Sequence, residues 1–216
     1  MPTRIRPYES TDRDAVRTIC CETGYLGDPI GPIYADRRSF ADLFTSYYTD
    51  AEPENCLVVE VDGKVVGYLL GCLESSKAWS MERIALRHVI LRGLAWRPGT
   101  AGFYWRGLYD AMADPMRGAP ARFAPDLALY PGHTHFSVLT EARTLPLVPG
   151  LYRTFFKLAR ERGCRGLHGE VFVENPRAMA MNIALGFAPA GAHWPVPGMR
   201  THDGKRLHVQ LFQRSL

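Results

Sequence analysis

Residues 130–187 constrain this chain more than any other stretch. They read YPGHTHFSVLTEARTLPLVPGLYRTFFKLARERG and then CRGLHGEVFVENPRAMAMNIALGF. The pattern predicts a strand over 133–139, a short Pro/Gly loop and an amphipathic helix. Val148, Leu151, Tyr152, Phe155, Leu158 and Ala159 fall at helical spacing in that helix. A second strand, LHGEVFV, and a helix opening after Asn175 follow. This order sets a loop and a helix N-terminus beside the open ends of two neighbouring strands. A helix N-terminus presents unpaired N–H groups and partial positive charge, which suits a phosphate-bearing ligand.

The preceding half reads as β-α-α-β-β. A first strand around Ile5 stops at Pro7. Ser10 or Thr11 can cap a helix that carries Val16, Ile19 and Cys20 and ends at Gly24. GYLGDPIGP is a loop. A second helix is predicted over 37–48, with Phe40, Leu43, Phe44 and Tyr47 on one face. CLVVEV and KVVGYLLGC flank Asp62-Gly63, a strong two-residue hairpin signal. A second hairpin is expected in the tail, with Asp203-Gly204 as its turn and RLHVQLF as its last strand.

Residues 74–128 form an insertion after the third strand, read as helical. MERIALRHVILRGLAW predicts one amphipathic helix and TAGFYWRGLYDAMAD another, with Pro115, Pro120 and Pro125 in a loop behind them. Nothing in the composition marks a linker, so residues 1–216 are expected to make a single domain. Hydrophobic residues at 46% and charged residues at 22% suit a globular core. The five cysteines include an adjacent pair and no CxxC, which argues against a metal site or a disulfide framework. The 26 Lys and Arg are dispersed, so no nucleic-acid tail is expected. No apolar run reaches membrane-span length, and the start lacks a signal-peptide pattern, so the expectation is cytoplasmic.

This set of elements resembles the GCN5-related N-acetyltransferases (GNAT) over nearly the whole chain apart from the insertion. IRPYESTDRDAVRTIC, CLVVEVDGKVVGYLLG and the 130–187 region carry the likeness. Within that superfamily, YPGHTHFSV is similar to the acetyltransferase-like domain of O-GlcNAc hydrolases and its free-standing bacterial relatives. The resemblance implies an α/β fold, a mixed sheet splayed between its fourth and fifth strands with helices on its flanks. It implies acetyl-CoA as co-substrate, an amine on a small molecule or peptide as acceptor, and transfer of the acetyl group to that amine. A homodimer is compatible with it.

The resemblance also assigns residues. Ser137, Val138 and Leu139 would pair with the pantetheine arm, as would Asn175 at the end of the fifth strand. The pyrophosphate loop corresponds to Arg143, Thr144, Leu145, Pro146, Leu147 and Val148, with Gly150 just beyond. Arg143 fits the family pattern and the loop glycines are missing. Pro146 and Pro149 remove N–H donors, which leaves the amides of Thr144, Leu145, Val148 and Gly150. The family often uses a Tyr to protonate the leaving thiolate, and Asn182 stands there. His133 and His135 alternate on a strand, share a face, and belong to the pKa class that removes protons near neutral pH. Asp28 could border the acceptor, while Glu141, Glu170 and Glu174 read as solvated. Trp79, Trp96, Phe103, Tyr104, Trp105 and Tyr109 in the insertion could roof the acceptor pocket, or belong to a packed helical pair or a dimer contact. Arg143, Asn175 and the strand order favour an enzyme. Pro146, Val148 and Asn182 favour a binding module that keeps the fold without the catalysis.

Overall fold

The computed structural model describes residues 2–80, 83–84, 86–143 and 146–216. Seven strands form one sheet in the order β1-β2-β3-β4-β5-β7-β6. They are β1 (Thr3–Pro7), β2 (Cys56–Val61), β3 (Lys64–Cys72), β4 (Gly132–Val138), β5 (Gly166–Phe172), β6 (Ala188–Arg200) and β7 (Arg206–Ser215). Helices α1 (Arg13–Thr23), α2 (Arg37–Ala51), α3 (Ala101–Met116), α4 (Leu147–Glu161) and α5 (Pro176–Ala184) flank it. The sheet is mixed: β4 and β5 run parallel and every other neighbouring pair is antiparallel.

Side-chain alternation divides the core into two layers. On β2, Leu57 and Val59 enter the layer beneath α4, with Leu151, Phe155 and Phe212. Cys56 and Val58 enter the layer beneath α1 and α2, with Val16, Ile19, Phe40 and Tyr68. Both faces are covered, so the strand reads as an unbroken apolar run rather than an alternating one. Each fully buried side chain such as Phe155 stabilises the fold by roughly 1.5–3 kcal/mol. The Asp62-Gly63 and 203–204 turns lie where the sequence predicts them.

The insertion departs from expectation. The first predicted helix is not continuous among the described residues. It is a π turn over Leu86–Ile90, then a left-handed Gly93 (φ 65°), then a 3-10 turn over Leu94–Trp96. Gly93 interrupts the rod because its backbone leaves the right-handed region. The second predicted helix exists as α3 and runs through Pro115 to Met116 instead of stopping before the proline. Pro115 falls in the last turn, where Arg117 N–H still reaches the carbonyls of Ala113 and Asp114. At the first helix, neither Ser10 nor Thr11 makes the cap. They lie in a 3-10 turn (Ser10–Asp12), and Asp12 accepts the Glu9 N–H at 2.8 Å.

The inner side of α3 docks on the β6–β7 hairpin through a buried carboxylate. Asp110 accepts from Gly198 N–H at 2.8 Å and from Arg200 at 2.7 Å, and Arg206 lies 3.2 Å away. Arg206 also makes a two-pronged pair with Asp114 at 2.7 and 2.8 Å. The guanidiniums hold both carboxyls below the usual range. A buried charge on a helix is tolerated because cations and an amide surround it.

Candidate functional site

Strands β4 and β5 pair only at Gly132–Leu167 and His133–His168. Beyond that point β5 stays on β7 and β4 stays on β3, so the sheet splays. Strand geometry then fixes which groups face the opening. Leu139 N–H is bonded to Val66 O at 2.9 Å, so the backbone of Leu139 turns toward β3. Successive residues point their main-chain groups to opposite edges. Ser137 therefore also turns toward β3, and Phe136 and Val138 present theirs to the gap. Of the three strand positions expected to pair with a pantetheine arm, only Val138 faces it. Phe136 is the second, and its apolar type gives no sequence signal.

At the mouth of the splay lies the N-terminus of α4. Pro146 is its N-cap residue and supplies no side-chain bond. Helices α2 and α5, by contrast, are capped by Asp36 and Asn175. The Leu147 and Val148 amides are first-turn donors, Pro149 has none, and Thr144 and Leu145 lie outside the described residues. Gly150 faces the sheet: a Cβ there would stand 2.9 Å from Ile5 Cδ1. Its glycine character answers to packing against β1. Arg177 of α5 donates to Arg143 O at 3.2 Å, which adds a second cation beside this loop.

Arg143 does not point freely into the opening. Its Nε donates to Val138 O at 3.1 Å, and its Nη2 donates to Gly27 O. Burial and the adjacent Arg177 lower its proton affinity. From the far side, Asn175 Nδ2 donates to Leu26 O at 3.0 Å while its Oδ1 caps Ala178 N–H at 3.0 Å. The two sequence-predicted cofactor residues thus grip the same loop, between α1 and α2, from opposite lips of the splay. Leu26 (φ 55°) and Gly27 (φ 101°) are both left-handed there, and a bridge between Tyr25 and Asp28 closes the turn. Leu26 is a non-glycine residue in a strained region, held by contacts on both sides.

At the floor of the splay, His133 and His135 share the face beneath α2. His133 Nδ1 meets Ser75 Oγ at 2.6 Å, with the rings of Tyr48 and His168 each 5.6 Å away. His135 lies beside Phe44 and Tyr68, at 6.0 and 5.5 Å. Among the described residues its Nδ1 is buried without a partner, and so is the Tyr68 hydroxyl. Burial lowers both histidines to about 4, with His168 and His135 adding to the effect on His133. Both rings are therefore neutral at pH 7 and able to accept a proton, but hold it weakly. His168 was missed in the sequence. Its Nδ1 bonds Tyr130 O at 2.8 Å, and burial lowers its pKa. The signal was its parallel register with His133.

The remaining candidates separate. Asn182 is buried and its amide donates to Ala178 O at 2.9 Å, within its own helix. Asp28 and Glu141 are exposed. Glu170 pairs with Arg122 at 2.6 Å on the surface. Glu174 is not simply solvated. It accepts from His208 N–H and sits 2.9 Å from His208 Nδ1, tying the end of β5 to β7. The insertion aromatics also divide. Phe103 and Tyr104 pack inward on Tyr34, whose hydroxyl bonds that of Tyr104. Trp96, Trp105 and Tyr109 stand exposed, and Trp79 stacks beneath Arg83.

No family model matches the chain. Solved structures do. The chain is 23% identical to SsHAT, with 100% of this chain and 98% of that one covered and a TM-score of 0.68. It is 14% identical to the polyamine N-acetyltransferase of Drosophila melanogaster, covering 100% of both chains, TM-score 0.58. It is 16% identical to a GNAT superfamily phosphinothricin acetyltransferase from Sinorhizobium meliloti in complex with acetyl-CoA. That match covers 100% of this chain and 89% of the other, with a TM-score of 0.58.

Proposed function

We propose, from a chain that carries the GNAT acetyltransferase fold, that it transfers an acetyl group from acetyl-CoA to an amine. The observation that carries this reading is the splay itself. The pairing of β4 and β5 stops at His133–His168, leaving the Phe136 and Val138 main chain without a strand partner beside the uncapped N-terminus of α4, with Val138 O held by Arg143. A backbone edge takes an amide-bearing arm, and a helix N-terminus with two arginines takes a pyrophosphate. Acetyl-CoA, when bound, supplies the activated acetyl thioester.

The chain's own residues then have distinct tasks. Val138 and Phe136 align the arm. Arg143 and Arg177, with the Leu147 and Val148 amides, hold the phosphates. His135, neutral and with its Nδ1 left open among the described residues, accepts the proton that the amine loses, and His133 and Ser75 continue the path outward. Asn182 is spent on its own helix and protonates nothing, so the leaving thiolate takes its proton from solvent. Positioning carries most of the rate, as it does where two reactants are held in line.

Titration calorimetry with acetyl-CoA, followed by thiol release across pooled amines, peptides and amino sugars, tests the reading. Micromolar binding with acceptor-dependent release supports it. Binding without release from any acceptor would favour a ligand-binding module. No binding at millimolar acetyl-CoA would overturn the enzyme reading in favour of a module that binds another ligand or a protein.

A further inference from the structure

Most of the large apolar side chains that stand exposed among the described residues lie between Leu86 and Leu129, in the insertion. Five of them line the outer face of α3: Trp105, Leu108, Tyr109, Met112 and Met116. Their spacing of three and four residues makes one stripe along the helix. They are between 51% and 88% exposed. A stripe of this kind in a stable helix normally faces a core, yet the core side of α3 is already occupied. Phe103 and Tyr104 take Tyr34, and Asp110 and Asp114 take Arg200 and Arg206.

We infer that this stripe is a dimer interface, packed antiparallel against α3 of a second copy of the chain. Area is the first argument. Five large side chains, half to nine-tenths exposed, present on the order of 700 Å². A stable interface needs roughly 800 Å² per partner. Leu91 and Trp96, elsewhere in the insertion, are exposed as well.

Charge is the second argument. The acids of α3 are consumed inward, and Arg106 also turns to the hairpin side, donating to Gly198 O at 2.9 Å. The five side chains of the stripe carry no charge themselves, and the cation that touches them, Arg117, lies over the Tyr109 ring at the edge of the patch. A membrane-surface helix carries its cations on the polar face, whereas here that face carries buried aspartates. An uncharged patch is complementary to itself, which a two-fold interface requires.

The sequence of the stripe sets the direction. It spans roughly 16 Å from Trp105 to Met116. In an antiparallel pair Trp105 meets Met116, and Tyr109 meets Met112, so each ring faces a flexible thioether. A parallel pair would stack ring on ring and leave the methionines together. Arg117, bonded to the Tyr109 hydroxyl at 2.9 Å, stands at the rim.

Light scattering on the full chain across roughly 1–100 µM tests this. The expected result is a dimer that Met112→Glu weakens at least ~100-fold, because a charge would be buried at the seam. Met112 is exposed in the single copy, so the melting temperature of the variant reads folding separately. All five native cysteines are buried, so introduced thiols report alone. A mixture of Trp105→Cys and Met116→Cys proteins should oxidise to a linked pair that neither forms by itself. A monomer at 100 µM would overturn the proposal. So would a dimer indifferent to Met112→Glu, or self-linking of Trp105→Cys alone. Binding of monomeric protein to phosphatidylserine vesicles that Met112→Glu abolishes would assign the stripe to a membrane instead.

Discussion

The floor and the mouth of the splay are built on opposite principles. At the floor, His135 Nδ1 and the Tyr68 hydroxyl are buried with no partner among the described residues. At the mouth, Arg143 and Asn175 have their hydrogen bonds already made, to carbonyls of the loop between α1 and α2 and, for Arg143, also to Val138 O of β4. An orphaned polar atom costs about 1–3 kcal/mol and is tolerated where a reacting group will satisfy it. A saturated one has to exchange a partner before it can bind anything. The floor is thus poised for chemistry, and the mouth is held in a closed set of contacts.

The largest expected effect strikes the floor. His135→Ala should lower kcat by about 10²–10⁴-fold with acetyl-CoA affinity retained, the range for loss of a general base. Acid should act on the same residues. The buried rings stay neutral down to about pH 4, whereas in the unfolded chain they take protons near 6.5. Between those values the unfolded state binds more protons. The stability contribution is therefore full above pH 6.5 and is lost as the pH falls toward 4. A melting temperature that falls over this window in the parent, and falls less in His133→Phe/His135→Phe, checks the sign.

Arg143→Ala comes next. Acetyl-CoA binding should weaken by roughly 10–100-fold, through loss of a charge-assisted bond worth about 1.5–3 kcal/mol. Proteolysis at the loop should also accelerate, because the same side chain holds Gly27. Unchanged affinity with a loosened loop would break the comparison, leaving Arg143 as a clasp only. Asn175→Ala should cost about 1 kcal/mol of stability from the lost cap of α5, read by chemical denaturation. The smallest effect is a gain. Pro149→Ala restores an N–H in the first turn of α4, and acetyl-CoA affinity should rise only a few-fold, the worth of one neutral hydrogen bond at about 1 kcal/mol.

Period and punctuation made much of this architecture legible. The Asp62-Gly63 hairpin, the helix after Asn175 and the 130–187 order are all local signals. The broken segment before α3 was not legible, because Leu86, Ile90 and Leu91 keep helical spacing while facing solvent. Apolar periodicity cannot tell a core face from a partner face. Arg143 and Asn175 stood out only through the family resemblance, and the loop they share did not stand out at all. Main-chain carbonyls of Leu26 and Gly27 leave no mark in a sequence. Ser137 and Leu139 were displaced by Phe136 for a similar reason. Register decides which backbone faces the gap, and a strand's residue types are nearly silent on that.

The grip on Gly27 has a consequence for inheritance. Its φ of 101° excludes most side chains, and a Cβ there would stand 3.3 Å from Arg143 Nη2. Any other residue at 27 would strain the turn and push the guanidinium off its carbonyl at once. Once Arg143 is replaced by a small residue, the contact part of that penalty disappears and the backbone strain remains. The two positions lie 116 residues apart in the chain. Substitutions at them should be strongly non-additive, each altering what the other tolerates. In diverging descendants of this chain, the loop and the cation would drift as one unit.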